Sequence, residues 1–222
     1  EHKVVGVFCQ PDKPVGRKQE LTPPDVKVEA LKYNLPVFQP TPLRNGKGVE
    51  ILGKINPDLI IVVAYGKILP DDVLSFPKYG CINIHASILP KYRGASPIHF
   101  AVLNGDEETG VTSMQMDSGL DTGDILLEKK AKIGINDTTE KMYEVLAPLG
   151  AEVLMETIGL LEKGQLNPVK QDDALATKVG LLSKDMSPID WTKSAFEIHN
   201  KIRGLYSWPG ASTMQGGKTL KR

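Results

Sequence analysis

The sequence predicts an α/β fold whose sheet is mostly parallel and covered by helices on both faces, and three observations carry that expectation. Val4 to Phe8 and Leu59 to Val63 are short continuous apolar runs, the pattern of strands buried on both faces. A third run, Cys81-Ile82-Asn83-Ile84-His85, alternates apolar and polar residues before meeting a loop. Helical patterns lie between these runs, giving the strand-helix alternation of a doubly wound, Rossmann-like sheet.

The elements follow in chain order. Helices are predicted over Asp25 to Tyr33, Gly48 to Ile55 and Asp71 to Phe76, with connections short enough for right-handed crossovers. Pro97 opens a further short helix. Asp137-Thr-Thr-Glu140 resembles a capping box, and Met142, Val145, Leu146, Leu149, Val153, Leu154, Ile158 and Leu161 follow at helical spacing. A long amphipathic helix bent near Pro148 is therefore expected to close the first domain, 1–164. Residues 165–183 are polar and aperiodic, which predicts a linker crossing the surface. Residues 184–222 then start a new small unit, with a helix over Ala195 to Ile202 and a hairpin at Gly216-Gly217 whose second strand has barely begun.

Composition narrows the function classes. Hydrophobic residues make up 41% and charged residues 24%, which suits a folded globular chain and excludes broad disorder. The 27 basic and 27 acidic side chains cancel, so phosphate contacts must come from a local patch and not from a global field. Cys9 and Cys81 both sit in apolar runs, where a thiol acts as a small buried hydrophobe. No apolar stretch approaches the ~20 residues of a membrane span, and no leader pattern is seen, so a cytoplasmic location and no membrane partner are expected. No Cys/His cluster has metal-ligand spacing and no glycine-rich phosphate fingerprint occurs, so neither a metal nor a nucleotide cofactor is expected.

The chemistry concentrates between Asn83 and Asp124. Asn83 and His85 stand two apart on a strand, so both side chains leave the same face at its carboxyl end, where open α/β sheets place their sites. An amide N–H can hold an oxygen that becomes negative, and an imidazole can move a proton near neutral pH. Asp121, in Gly119-Leu120-Asp121-Thr122-Gly123, could fold back over the strand ends, orient His85 and favour its charged form. Taken singly, a histidine on a strand is as readily a structural hydrogen-bonding residue, and an aspartate between glycines a turn former. His2, His99 and His199 are read as structural or surface residues.

Together, Asn83-x-His85, Ser87-Ile88-Leu89-Pro90, Arg93-Gly94 and Leu120-Asp121-Thr122-Gly123-Asp124 resemble the signature of the folate-dependent formyltransferases. The likeness extends over essentially the whole chain. It implies a formyltransferase fold followed by the start of an OB-like β-barrel, with 10-formyltetrahydrofolate as co-substrate. Asn83, His85 and Asp121 take the catalytic positions. Ser87, Ile88, Leu89 and Pro90, with Ala64, Tyr65, Gly66 and Ile68, take the folate-binding ones. Read only as residues, Ile-Leu-Pro and Ala-Tyr-Gly could be mere strand termini.

Met114-Gln115-Met116-Asp117 and Gln10 to Lys18 are most similar to the branch that acts on initiator methionyl-tRNA. That likeness implies a tRNA-contacting loop carrying Arg17 and Lys18, although the alternative of a solvated Pro/Gly loop stays open and Gln19-Glu20 weakens its basic character. It also implies a chain shortened at both ends, lacking a first strand and helix and most of the barrel, and a monomer is expected. Other members of the family, acting on another amine or on water, are the nearest rivals, and a non-catalytic folate-binding module is a rival of another class.

Overall fold

The computed structural model describes residues 2–16 and 18–221. The chain divides into two compact units, residues 1–82 and 83–222.

In the first unit, β1 (Val7–Phe8) pairs in parallel with β4 (Val37–Phe38), placing Phe8 opposite Phe38 with ring centroids 5.2 Å apart. Val4 to Gly6 stay outside the strand, which is half-buried because its two-stranded sheet covers little of it. Between them come an antiparallel hairpin, β2 (Lys13–Val15) and β3 (Glu20–Thr22), and helix α1 (Asp25–Lys32). Helix α2 (Lys47–Ile55), strand β5 (Ile60–Val62) and the single turn α3 (Asp71–Leu74) complete the unit. Its core includes Cys9, Ala30, Leu52, Val73, Cys81 and Ile82.

The hairpin base is tied down by polar groups. Lys27 Nζ donates to both Asp12 carboxyl oxygens at 2.8 Å and to Gln39 Oε1 at 2.9 Å, which holds the Asp12 carboxyl below the usual range. Gln39 Nε2 donates to the Gln10 carbonyl, and Gln10 Nε2 to the Tyr65 carbonyl, each at 2.8 Å. A proline-rich loop thus gains fixed ends from side chains where it has little ladder of its own.

Strand β6 (Cys81–His85) runs across the division between the units. The second unit continues with β7 (Arg93–Gly94), α4 (Pro97–Leu103), β8 (Glu108–Gln115) and β9 (Ile125–Lys132). β8 lies beside β6 and pairs antiparallel with β9, with a register shift at Ser113/Met114. Helix α5 (Thr139–Glu162) packs on β8 and β9, burying Met142, Leu146 and Val153. Each buried side chain of this kind contributes roughly 1.5–3 kcal/mol. Its cap is Thr138, whose hydroxyl accepts from the Lys141 N–H, and not the expected box from Asp137 to Glu140. Asp137 is engaged one turn earlier, accepting from the Gly134 N–H at 2.6 Å.

The stretch expected as a plain linker makes specific contacts. Strand β10 (Lys178–Val179) pairs in parallel with β7, and Val169 bridges Ile125. Helix α6 (Ala195–Gly204), held by a full Ser194/Glu197 capping box, packs on α4. Buried Arg203 donates to Asn200 Oδ1 and to the carbonyls of Gly134 and Asp137, joining α6 to the turn before α5. The last hairpin, β11 (Ser212–Gln215) and β12 (Lys218–Lys221), is paired from Ser212↔Lys221 to Gln215↔Lys218, so its second strand is longer than the sequence suggested.

Candidate active site

Period two on β6 brings Asn83 and His85 to one face, with His85 6% exposed. The loop after β8 brings Asp121 to them. Asn83 Nδ2 donates to Asp121 Oδ1 over a long 3.4 Å, and His85 Nδ1 lies 3.8 Å from Asp121 Oδ2. The second distance is ion-pair range and beyond a hydrogen bond. The short bond to this carboxylate comes from the Gly94 N–H, at 2.7 Å to Oδ2. His85 Nε2 is 3.0 Å from the Tyr92 carbonyl, which can only accept, so that nitrogen carries the hydrogen. Two groups on one strand therefore meet a third from a distant loop, with the imidazole held at its far nitrogen by backbone.

Backbone conformation shapes this meeting. Asp121 itself has φ +53°, a left-handed conformation that costs a non-glycine residue about 1 kcal/mol or more. Two glycines let the strands approach: a Cβ on Gly94, at φ +116°, would overlap the Val179 carbonyl, and one on Gly123 the Gln115 carbonyl. Of the residues that hold Asp121 in place, Gln171 was not singled out in the sequence. Gln171, 6% exposed, donates from Nε2 to the carbonyls of Asp121 (2.9 Å) and Gly123 (2.7 Å). Its Oε1 accepts from Nε of buried Arg93 at 3.0 Å, and Arg93 Nη2 is 2.9 Å from Asp173 Oδ1. Arg93 stood inside the motif, but Gln171 lay in an aperiodic polar stretch that offers no pattern to find it by.

The Ser87 to Pro90 segment is anchored to β8 through Thr112. Its buried hydroxyl donates to the Ser87 carbonyl at 2.7 Å and accepts the Leu89 N–H at 3.3 Å. Ser87 is fully buried, its hydroxyl given to the Lys91 carbonyl, while Ile88 and Pro90 are half-buried. In the first unit, Ala64 (φ +45°) and Gly66 (φ +72°) make an exposed turn after β5, and Ile68 is 70% exposed. The Tyr65 hydroxyl is buried without a hydrogen-bond partner, and burial raises its pKa. Lys18 is exposed at the tip of the first hairpin, and Arg17 lies outside the described residues.

A separate cavity of about 680 Å³ in the second unit is lined by Ser96, His99, Tyr143, Leu181, Tyr206 and Trp208, and holds none of the three converging groups. His99 packs edge-on against Tyr143, and burial lowers its pKa. Both cysteines are buried, and burial pushes the Cys81 thiol up to about 12. Among the described residues no three His, Cys, Asp or Glu side chains gather as a metal site, and no helix is long and apolar enough to cross a membrane.

The chain as a whole is similar to known proteins over nearly all its length. The family model described as formyl transferase matches residues 1–158, and that of the formyl transferase C-terminal domain matches residues 181–221. The methionyl-tRNA formyltransferase of Alkaliphilus oremlandii is 48% identical over 220 residues, covering 99% of this chain and 71% of its own. That of Geobacter metallireducens is 49% identical over 218 residues, covering 98% and 70%. Among solved structures, a 4-N formyltransferase from Francisella tularensis superposes with a TM-score of 0.75 at 20% identity, covering 98% of this chain and 84% of that one.

Proposed function

The chain belongs to the formyl transferase family, in its methionyl-tRNA formyltransferase branch, and we propose that it moves the formyl group of 10-formyltetrahydrofolate to the α-amine of initiator methionyl-tRNA. The observation that carries this reading is the convergence of Asn83, His85 and Asp121 at the carboxyl end of β6. One N–H of the Asn83 amide is spent on Asp121 over a long contact, which leaves the other for a substrate oxygen.

The amine nitrogen attacks the formyl carbon, forming a C–N bond and a tetrahedral centre whose oxygen takes the electron pair of the carbonyl. Asn83 donates to that oxygen, and His85 stands beside it to stabilise charge and pass a proton. Collapse breaks the bond from carbon to N10 of the folate. The proton lost by the amine ends on N10, so tetrahydrofolate leaves neutral at that atom. Asp121 orients Asn83 and the imidazole edge and fixes the loop through Gly94. Placing amine and donor together supplies much of the acceleration.

Features of each unit are consistent with a folate. A flat heterocycle needs backbone donors and acceptors beside an apolar wall. In the second unit Ile88 and Pro90 offer such a wall on a segment whose Ser87 hydroxyl and Leu89 N–H are already satisfied. In the first, the turn at Ala64 to Gly66, exposed at Ala64 and Gly66, displays backbone groups next to exposed Ile68. Lys18, with Arg17, is proposed to meet the acceptor-arm phosphates of the tRNA. A cytoplasmic, monomeric enzyme remains our reading, as does the domain plan of 1–164, 165–183 and 184–222.

The test is formylation of charged initiator tRNA with 10-formyltetrahydrofolate, beside assays with an amino sugar nucleotide, glycinamide ribonucleotide and no acceptor. Formyl-methionyl-tRNA as the preferred product is expected. Formate release without an acceptor, or formylation of another amine at comparable kcat/KM, would overturn the substrate assignment.

A further inference from the structure

We infer that Gln171 is a positioning residue for the reaction, and that with Arg93 it braces the Asp121 loop from the segment joining the two family domains. The inference rests on the proposed formyl transfer for its kinetic consequence, but its structural basis is independent. Asp121 reaches Asn83 and His85 only because residues 119–123 fold back with Asp121 in a left-handed conformation. Such a conformation persists when its surroundings over-determine it. Asp117 Oδ1 accepts from the Gly119 N–H at 2.9 Å and the Thr122 hydroxyl at 2.7 Å within the loop, and from outside it the backbone is held by one side-chain amide. Gln171 Nε2 spends both hydrogens on the carbonyls of Asp121 and Gly123, and so fixes the direction of the peptide plane that follows the carboxylate-bearing residue and of the one two residues further on.

That amide is itself held in one orientation. The buried Arg93 Nε can only donate, so it selects Gln171 Oε1 and turns Nε2 toward the loop. Arg93 is 3% exposed and adjoins Gly94, whose N–H makes the shortest bond to the Asp121 carboxylate. The Asp121 backbone and its side chain are therefore held from the same two places, Gln171 and the Arg93-Gly94 strand. Two residues beyond Gln171, Asp173 pairs with Arg93, and four beyond that Thr177 takes the Tyr92 N–H at 2.8 Å and gives its carbonyl to the Arg93 N–H at 2.9 Å. Tyr92 is the residue whose carbonyl holds His85. One stretch of chain, Gln171 to Val179, thus supports both the imidazole and the carboxylate, immediately ahead of the C-terminal family domain at residues 181–221.

The variant to make is Gln171→Glu, which keeps size and the acceptor toward Arg93 but sets carboxylate oxygen against two carbonyls. Gln171→Met, apolar and of similar length, guards against a charge artefact. In the full-length protein, kcat should fall ~10–100-fold in both, as expected for a displacement of about 1 Å at a reacting centre, with KM for both substrates little changed. Independently of activity, amide hydrogen exchange at Gly94 should rise about tenfold or more as the loop opens locally, while amides in α5 keep their protection. Unchanged Gly94 protection in both variants overturns the brace. Lost protection with parental kcat overturns its part in turnover. A parent chain that transfers no formyl group would sink the functional reading, and the exchange measurement would still decide the brace.

Discussion

Two loops that follow strand ends contrast sharply in this molecule. The Asp121 loop is fixed on every side: a short bond from Gly94, two from Gln171, and a glycine at each point where backbone meets backbone. The β2–β3 hairpin is tied to the rest of its unit at its base, through Lys27, Asp12 and Gln39, and every described residue of its strands is exposed. The difference follows the work proposed for each. A group that steadies a transition state must be in place beforehand. A loop that meets a large polyanion can rely on charge and adjust on contact.

The contrast can be broken at several points, and the largest effect belongs to the ring at its centre. His85→Ala should lower turnover by ~10²–10⁴ while folate binding stays close to parental, as read by single-turnover formylation and ligand titration. Equal turnover in the variant would remove His85 from the reaction.

Next is Gly94→Ala. The added methyl would strike the Val179 carbonyl at a positive φ, so a loss of about 3 kcal/mol is expected in denaturant unfolding. A loss under about 0.5 kcal/mol would mean that β7 and β10 part more easily than their pairing implies.

A smaller effect is expected from Thr112→Val, nearly the same shape without the hydroxyl. It leaves the Ser87 carbonyl and the Leu89 N–H unpaired, which should cost about 1–3 kcal/mol and raise KM for the formyl donor more than KM for the tRNA. The opposite ranking of the two KM values would argue against folate at Ser87 to Pro90.

The smallest effect is reserved for the hairpin. Lys18→Gln should leave stability unchanged, raise KM for the tRNA by roughly a few-fold, and reduce the salt slope of tRNA binding by about 1. An unaltered salt slope would leave this loop as ordinary solvated surface.

What could be read without coordinates was whatever depends on local periodicity. The helices at 25–32, 47–55 and 139–162, the buried thiols, and the shared face of Asn83 and His85 follow from spacing along one element, because side-chain direction in a helix or strand is set by neighbouring dihedrals. The cap of α5 was misplaced by one residue since Asp137 and Thr138 are both competent caps, and only the competing Gly134 N–H separates them.

Contacts between distant segments were another matter. That Asp121 reaches His85, that Gly94 and Gly123 must lack a Cβ, and that Gln171 faces two carbonyls all depend on how loops fold across strand ends. Polar residues in an aperiodic stretch look alike whether they face water or a buried arginine. The sequence alone determined the main helices, the strands that begin the fold and carry Asn83 and His85, and the family to which they belong, but not the β8–β9 pair. Tertiary structure decided which of its many polar groups share a site, because a hydrogen bond selects its partner by distance and angle, and neither is written in residue order.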